Sequence, residues 1–122
     1  MASIIDPQLA TSLIQEYQAQ NSTAAGPAMM TPDGKFLNGF FIDRQSLEAI
    51  LNNPNFVGIS LYLAKDPNNV GSKENIFTIV FAGAEPNPNW VQGSTTATPY
   101  LNTGDPYDNL FPCPPYCGSL GQ

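Results

Sequence analysis

Residues 35–84 read KFLNGFFIDRQSLEAILNNPNFVGISLYLAKDPNNVGSKENIFTIVFAGA. This stretch decides the fold, because it holds most of the apolar side chains that can form a core. Residues 36–42 are rich in Phe and Ile, which is typical of a buried or half-buried strand. Asp43 is a good helix N-cap, and apolar residues follow at helical spacing as far as residue 51. The stretch therefore begins as a strand and a short helix.

The second half of the stretch predicts two more strands. Pro54 ends the helix, because proline disfavours helical geometry at the residue before it. Residues 56–64 alternate between two faces, residues 66–71 have turn chemistry, and residues 76–84 form a third apolar run. The helix can cross over to make the first two strands parallel, and the loop can fold the last two into an antiparallel pair.

The N-terminal flank predicts a helix and a linker. Residues 1–20 are the N-terminal helix segment: residues 1–5 are a short lead-in, and the helix runs to about residue 20, since Asp6 and Pro7 suit its N-cap and first helical position. We expect its apolar face to pack on the sheet, with a protruding, partner-binding helix as the alternative. Residues 21–34 are a linker and turn, in which residues 28–31 can form a short edge strand of a hairpin.

The C-terminal flank, residues 85–122, differs in composition from the core. From residue 84 onward the chain holds seven of the twelve prolines, so it cannot be mostly helical. It is also rich in aromatic residues, which disordered tails lack. We interpret it as an irregular C-terminal strap with aromatic anchors that pack on the sheet. Pro99 would confine a strand near residues 95–101 to a sheet edge.

Together these patterns predict an α+β fold in a single domain of residues 1–122. We expect a single mixed, mainly antiparallel sheet, two helices packed on one face, and the Pro-rich C-terminal strap. A length of 122 residues suits one domain with a modest core.

Charge excludes several classes of function. The chain has a net charge of −6 and only four basic residues, all of them in the central stretch: Lys35, Arg44, Lys65 and Lys73. Without a basic patch, we expect no binding to nucleic acid or to an anionic membrane. No apolar run reaches the roughly 18–20 residues that span a bilayer, and the N-terminus lacks signal-peptide features. We therefore expect a cytoplasmic protein.

The chain contains no histidine. This absence removes Ser-His-Asp and Cys-His triads and most zinc sites. No other pattern indicates catalysis: the acids near Asp66 and Asp105 are explained by turns of the backbone. We expect no enzyme activity, no cofactor and no metal held within one chain.

The motif Cys113-Pro-Pro-Tyr-Cys117 leaves three interpretations open. The first is a structural clip, or two reduced cysteines in the strap. The second is a redox pair, since a bridge across so small a loop could be strained, and a strained or exposed bridge is the labile kind. The third is a metal clip between two chains, because one chain offers only two thiolates and a structural zinc site needs four ligands.

Aromatic residues of the strap form a candidate ligand surface. In a polar, Pro-rich setting such rings can bind a sugar or a peptide. The more common role is to anchor a long loop on the core. The candidates are Trp90, Tyr100, Tyr107 and Tyr116.

The order of these segments resembles that of a family of small, uncharacterised bacterial proteins. The resemblance rests on residues 39–51, 57–63 and 77–83 and on a Cys-Pro-Pro-x-Cys ending at residues 113–117. Members often carry a basic residue where this chain has Ser60, so a site that used this charge would be missing here. The resemblance implies no activity, cofactor or catalytic residue.

We therefore expect a non-enzymatic interaction or small-ligand-binding module. Its partner would be a protein or a small molecule, with a homodimer left open. The alternative is a thiol-dependent redox switch, or an inter-chain metal clip, that uses Cys113 and Cys117.

Overall fold

The computed structural model describes residues 2–23, 28–69, 71, 75–93, 95–108 and 110–120. In these residues the helices are α1 (Pro7–Thr23) and α2 (Arg44–Leu51). The strands are β1 (Met29–Met30), β2 (Gly39–Phe41), β3 (Gly58–Lys65), β4 (Asn75–Pro86), β5 (Tyr100–Leu101) and β6 (Phe111–Cys113). The predicted α+β class is confirmed.

The chain divides into two compact units. The first unit comprises residues 1–41, 65–77 and 111–122, and the second comprises residues 42–64 and 78–110. The prediction of one domain over residues 1–122 stays a prediction.

Strand β4 pairs with three other strands of the described residues. It lies between β1 and β3, in the order β1-β4-β3, and it also pairs with β5. Strand β1 is parallel to β4 and β5 is antiparallel to it. The Val57 N–H donates to the Ala84 carbonyl (2.8 Å), and the Asp66 N–H donates to the Ile76 carbonyl (3.0 Å). From the first bond to the second, the residue number rises along β3 and falls along β4, so the two strands run antiparallel. This sheet is therefore mixed, as expected.

Strand β2 lies in a separate two-stranded sheet, where it pairs antiparallel with β6. We had expected a single sheet in which this strand ran parallel to β3 through the helical crossover. Instead Gly39 pairs with Cys113 and Phe41 with Phe111. The difference arises because a three-residue apolar strand specifies which face it buries but not which strand it joins.

In the first unit, α1 begins as predicted and is fastened near its C-terminal end. The Leu9 N–H donates to the Asp6 carboxylate (3.0 Å), which caps the helix. The buried Asn21 donates to the carbonyl oxygens of Met29 (2.9 Å) and Leu37 (3.2 Å) and accepts from the Met29 N–H (2.8 Å). However, Leu9 and Leu13 are each 50% exposed. The apolar face of α1 is therefore only partly packed.

The predicted hairpin is also present in the first unit. The Thr31 N–H donates to the Lys35 carbonyl (2.7 Å), and Met30 bridges Phe36 in antiparallel fashion. Gly34 has a φ of +83°, a conformation that favours glycine. Turn chemistry at residues 32–34 thus produced the expected turn.

In the second unit, Asp43 caps α2 as predicted. Its carboxylate accepts from the Ser46 N–H (3.1 Å) and from the Ser46 hydroxyl (2.6 Å). These hydrogen bonds hold the pKa of Asp43 below its usual value. The helix buries Ile50.

In the second unit, the strap pairs with β4 at Tyr107. The Phe81 N–H donates to the Tyr107 carbonyl (2.9 Å), the Tyr107 N–H donates to the Phe81 carbonyl (2.8 Å), and the two rings stack with centroids 5.7 Å apart. The ring of Phe56 lies against Gly83 and Gly104. The aromatic anchor predicted for the strap is therefore present at Tyr107.

The buried apolar side chains of the described residues all fall within residues 35–84. They are Leu37, Ile50, Ile76, Phe81, Ala82 and Ala84. The sequence thus located the core correctly.

We predict that Gly83→Ala destabilises the protein while Gly58→Ala does not. A Cβ at Gly83 would overlap the Phe56 ring, whereas one at Gly58 meets nothing within 4 Å. Forcing extra atoms into a packed site costs about 1–3 kcal/mol. Urea unfolding followed by circular dichroism measures both variants. Equal midpoints for Gly83→Ala and wild type would show that Phe56 does not pack there.

Candidate functional site

Three aromatic side chains contact one another on the small sheet of the first unit. We call Phe41, Phe111 and Tyr116 the aromatic cluster. Pairing of β2 with β6 places Phe41 opposite Phe111, with ring centroids 6.2 Å apart. The Tyr116 ring lies 4.6 Å from that of Phe111. All three side chains remain 40–51% exposed, so the cluster presents an apolar surface to the solvent.

The turn after β6 brings Tyr116 back to Phe111. Cys113 and Cys117 are joined by a disulfide, with their Cα atoms 4.7 Å apart. The Tyr116 N–H donates to the Pro112 carbonyl (3.0 Å). The Cys113–Pro114 and Pro114–Pro115 peptide bonds are both cis. The two cysteines that sequence singled out are therefore brought together, and they close the turn that carries Tyr116.

A shallow cavity lies beside the aromatic cluster. It is smaller than the pockets of roughly 300–1,000 Å³ that bind drug-sized ligands. It has a volume of about 220 Å³ and is lined by Phe41, Tyr116, Cys117 and Gly118. None of these lining side chains is charged. The site therefore suits an apolar side chain of a larger partner better than a whole polar ligand.

A second candidate site lies in the second unit, which we call the strap groove. It measures about 460 Å³ and is lined by Ser60, Tyr62 and residues 98–102. Asn102 organises it: its amide group donates to the Ser60 hydroxyl (3.0 Å) and to the Gly83 carbonyl (2.9 Å). Its side-chain oxygen accepts from the Tyr62 hydroxyl. Because these bonds occupy Asn102, its amide acts as a structural contact between strap and sheet.

Sequence reasoning missed both Asn102 and the pairing of Phe41 with Phe111. The partners of Asn102 are 40 and 42 residues away along the chain, so no local pattern announces it. The Phe41–Phe111 contact depends on the unexpected β2–β6 pairing. The sequence indicated only that each of these short strands carries a Phe. That does not specify which strands pair or in which register.

The four aromatic candidates are divided between the two units. Tyr116 belongs to the first unit, and the other three belong to the second. Tyr100 is 56% exposed and lines the strap groove. Tyr107 stacks on Phe81 as an anchor, and Trp90 is half-buried, with its N–H bonded to the Asn87 carbonyl (3.1 Å).

Two groups whose pKa values are shifted, Tyr17 and Asp43, both make structural contacts. Burial raises the pKa of Tyr17, whose hydroxyl donates to the Leu37 carbonyl (2.8 Å). Asp43, with its lowered pKa, caps α2. Across the residues that the structure describes, no three His, Cys, Asp or Glu side chains lie close enough to hold a metal ion. No helix there is long and apolar enough to cross a membrane.

Comparison with known proteins adds no relative: no family model, curated protein or solved structure matches this chain. The resemblance to small bacterial proteins therefore stays a hypothesis.

Proposed function

We propose that this chain is a non-enzymatic interaction module that binds an apolar segment of a partner protein at the aromatic cluster. The observation that carries the proposal is the mutual contact of three rings that are each 40–51% exposed. Contiguous exposed apolar surface is often a binding site in a monomer. Aromatic side chains also provide a large contact area at low entropic cost.

The architecture around the cluster favours a peptide over a small molecule. Phe41 and Phe111 sit on a sheet that has only two strands in the described part of the chain. An extended peptide can join the edge of such a sheet by backbone hydrogen bonds, and its alternate side chains then enter neighbouring pockets. The 220 Å³ cavity beside Tyr116 would receive one such side chain.

We predict that a phage-displayed random peptide library selected on the wild-type protein yields peptides with apolar or aromatic residues at alternate positions. Tyr116→Ala should weaken binding of a selected, fluorescently labelled peptide about tenfold or more in an anisotropy titration, as loss of an interface hot spot does. Tyr100→Ala is the matched control, because it removes an equally exposed tyrosine of the other unit.

Two results would contradict the proposal. One is a failure to enrich any peptide over a library selected on empty support. The other is an equal loss of affinity in Tyr116→Ala and Tyr100→Ala. Circular dichroism of both variants would show that each is folded before binding is compared.

A second candidate function is a thiol switch, favoured by the bond between Cys113 and Cys117. This bond closes the turn that holds Tyr116 against Phe111. A dithiol could reduce it: two electrons and two protons pass to the cysteine sulfurs, and the dithiol becomes a disulfide. Reduction would then free the turn and alter the aromatic cluster. A metal clip between two chains would require this reduced form.

For the switch we predict no free thiol in natively purified protein, and a mass lower by two hydrogens than that of the reduced chain. Dithiothreitol should then shift the NMR signals of the Tyr116 and Phe111 rings. The Cys113→Ser, Cys117→Ser variant should give the reduced pattern without reductant. Two free thiols in the native protein, or unchanged ring signals on reduction, would rule the switch out.

We also propose a cytoplasmic location and kinship with the small bacterial proteins described above. The order of residues 39–83 and 113–117 supports the kinship. The thiol measurement bears on the location as well. Cytosolic proteins keep most thiols reduced, so a stable native bond between Cys113 and Cys117 would argue for an oxidising compartment.

A further inference from the structure

Strand β3 ends the sheet order in the described part of the chain, so one of its edges has no neighbouring strand. The strand has eight residues and is therefore about 27 Å long. The Val57 N–H points toward β4, because it bonds to Ala84. Backbone groups alternate in direction along a strand, so those of Gly58, Ser60 and Tyr62 point to the free edge.

The apolar face of β3 is also uncovered. Val57, Leu61 and Leu63 are 62%, 63% and 71% exposed. The alternation of residues 56–64 would have placed these side chains toward a core. A long, apolar edge strand with free backbone groups is a template for another strand. The occupant of this edge is therefore expected to be a strand itself.

The sequence of β3 is nearly symmetric about Leu61. Ser60 and Tyr62, one residue to either side, both carry hydroxyl groups. Ile59 and Leu63, two residues to either side, are both aliphatic. Gly58 and Ala64, three residues to either side, are both small.

We propose that β3 pairs with β3 of a second copy of this chain, antiparallel, around a two-fold axis beside Leu61. In this register Leu61 faces the same residue of the other copy and Ile59 faces Leu63. Ser60 faces Tyr62, so their backbone groups form the hydrogen-bonded pair, while the Leu61 pair is the closer, non-hydrogen-bonded one. The interaction lies in the second unit and does not depend on the aromatic cluster.

Self-pairing is favoured over a foreign strand because a two-fold interface requires a surface that complements itself. Here every apolar residue of residues 59–63 meets an apolar one, and each hydroxyl meets a hydroxyl. The charge pattern agrees: Lys65 is the strand's only charged residue. In the paired strands it would face Val57, about 27 Å from the other Lys65, so the two charges barely repel each other.

The face that carries Ser60 and Tyr62 is compatible with this pairing. Their hydroxyls already contact Asn102 on the strap side, yet Tyr62 remains 52% exposed. In the described residues, no backbone hydrogen bond joins the strap to the free edge of β3. The two sheets can therefore join without displacing the strap.

The expected dimer is weak. A strand edge about 27 Å long and about 10 Å thick covers roughly 270 Å², well below the roughly 800 Å² per partner of a standard interface. We therefore expect a dissociation constant of about 10–100 µM. Wild-type protein should sediment as a monomer at low micromolar concentration and shift toward a dimer at several hundred micromolar.

Cysteine cross-linking of the full chain tests the register. Under mild oxidation, Leu61→Cys should give a covalent dimer on a non-reducing gel, since facing non-hydrogen-bonded residues lie about 4.5 Å apart at Cα. Leu63→Cys is the matched control: it is equally exposed, but its two copies would lie about 13 Å apart, beyond disulfide reach. An equimolar mixture of Ile59→Cys and Leu63→Cys should cross-link to each other. Peptide mass mapping should identify the new bond, separate from Cys113–Cys117.

A second experiment addresses the interface without cysteines. Leu61→Lys places two like charges opposite each other, so sedimentation should show a monomer even at several hundred micromolar. Leu120→Lys, at a 59% exposed position elsewhere, should dimerise like wild type. Wild-type protein that stays monomeric at these concentrations would overturn the proposal. So would equal cross-linking of Leu61→Cys and Leu63→Cys, because random collision gives that result.

Discussion

Strand β4 holds the Pro-rich strap through two backbone hydrogen bonds between Phe81 and Tyr107, at 2.9 and 2.8 Å. Phe81 is only 1% exposed and stacks on the Tyr107 ring. Residues 87–99 have no strand or helix where the structure describes them. Local contacts order part of this segment, since the Asn87 N–H and side-chain amide donate to the carbonyl oxygens of Pro99 and Thr98. Farther along the chain, the strap returns to β4 at the Phe81–Tyr107 pair. Without it, Phe81 would lose both its cover and its backbone partner.

Apolar side chains remain exposed in both units. In the second unit the strap contacts the sheet through Tyr107, which pairs with Phe81, and through Asn102, which bonds to Ser60, Tyr62 and Gly83. The face that carries Leu61 and Leu63 stays exposed. In the first unit, Tyr116 and its neighbouring rings are exposed as well. Exposed apolar patches of this kind often mark interaction sites, and the proposed binding at the aromatic cluster rests on this property.

Local patterns were predicted well and long-range contacts were not. Asp6 and Asp43 revealed both helix starts, because a cap depends on residues within one turn. Residues 56–64 revealed a strand, yet alternation does not say which face is covered. The β2–β6 pairing joins segments about seventy residues apart, beyond the reach of local patterns. The CPPYC motif did not show whether Cys113 and Cys117 are joined by a disulfide, because their spacing permits a disulfide without requiring one.

Amide hydrogen exchange measured by NMR tests the central claim most directly, namely that Tyr107 fastens the strap to β4. The account predicts that the Tyr107 amide exchanges as slowly as the Phe81 amide, because both protons lie in mutual hydrogen bonds. Gly93, an exposed loop residue, supplies the reference for fast exchange. If Tyr107 exchanged as fast as Gly93 while Phe81 stayed protected, the strap would not be fastened to the sheet there.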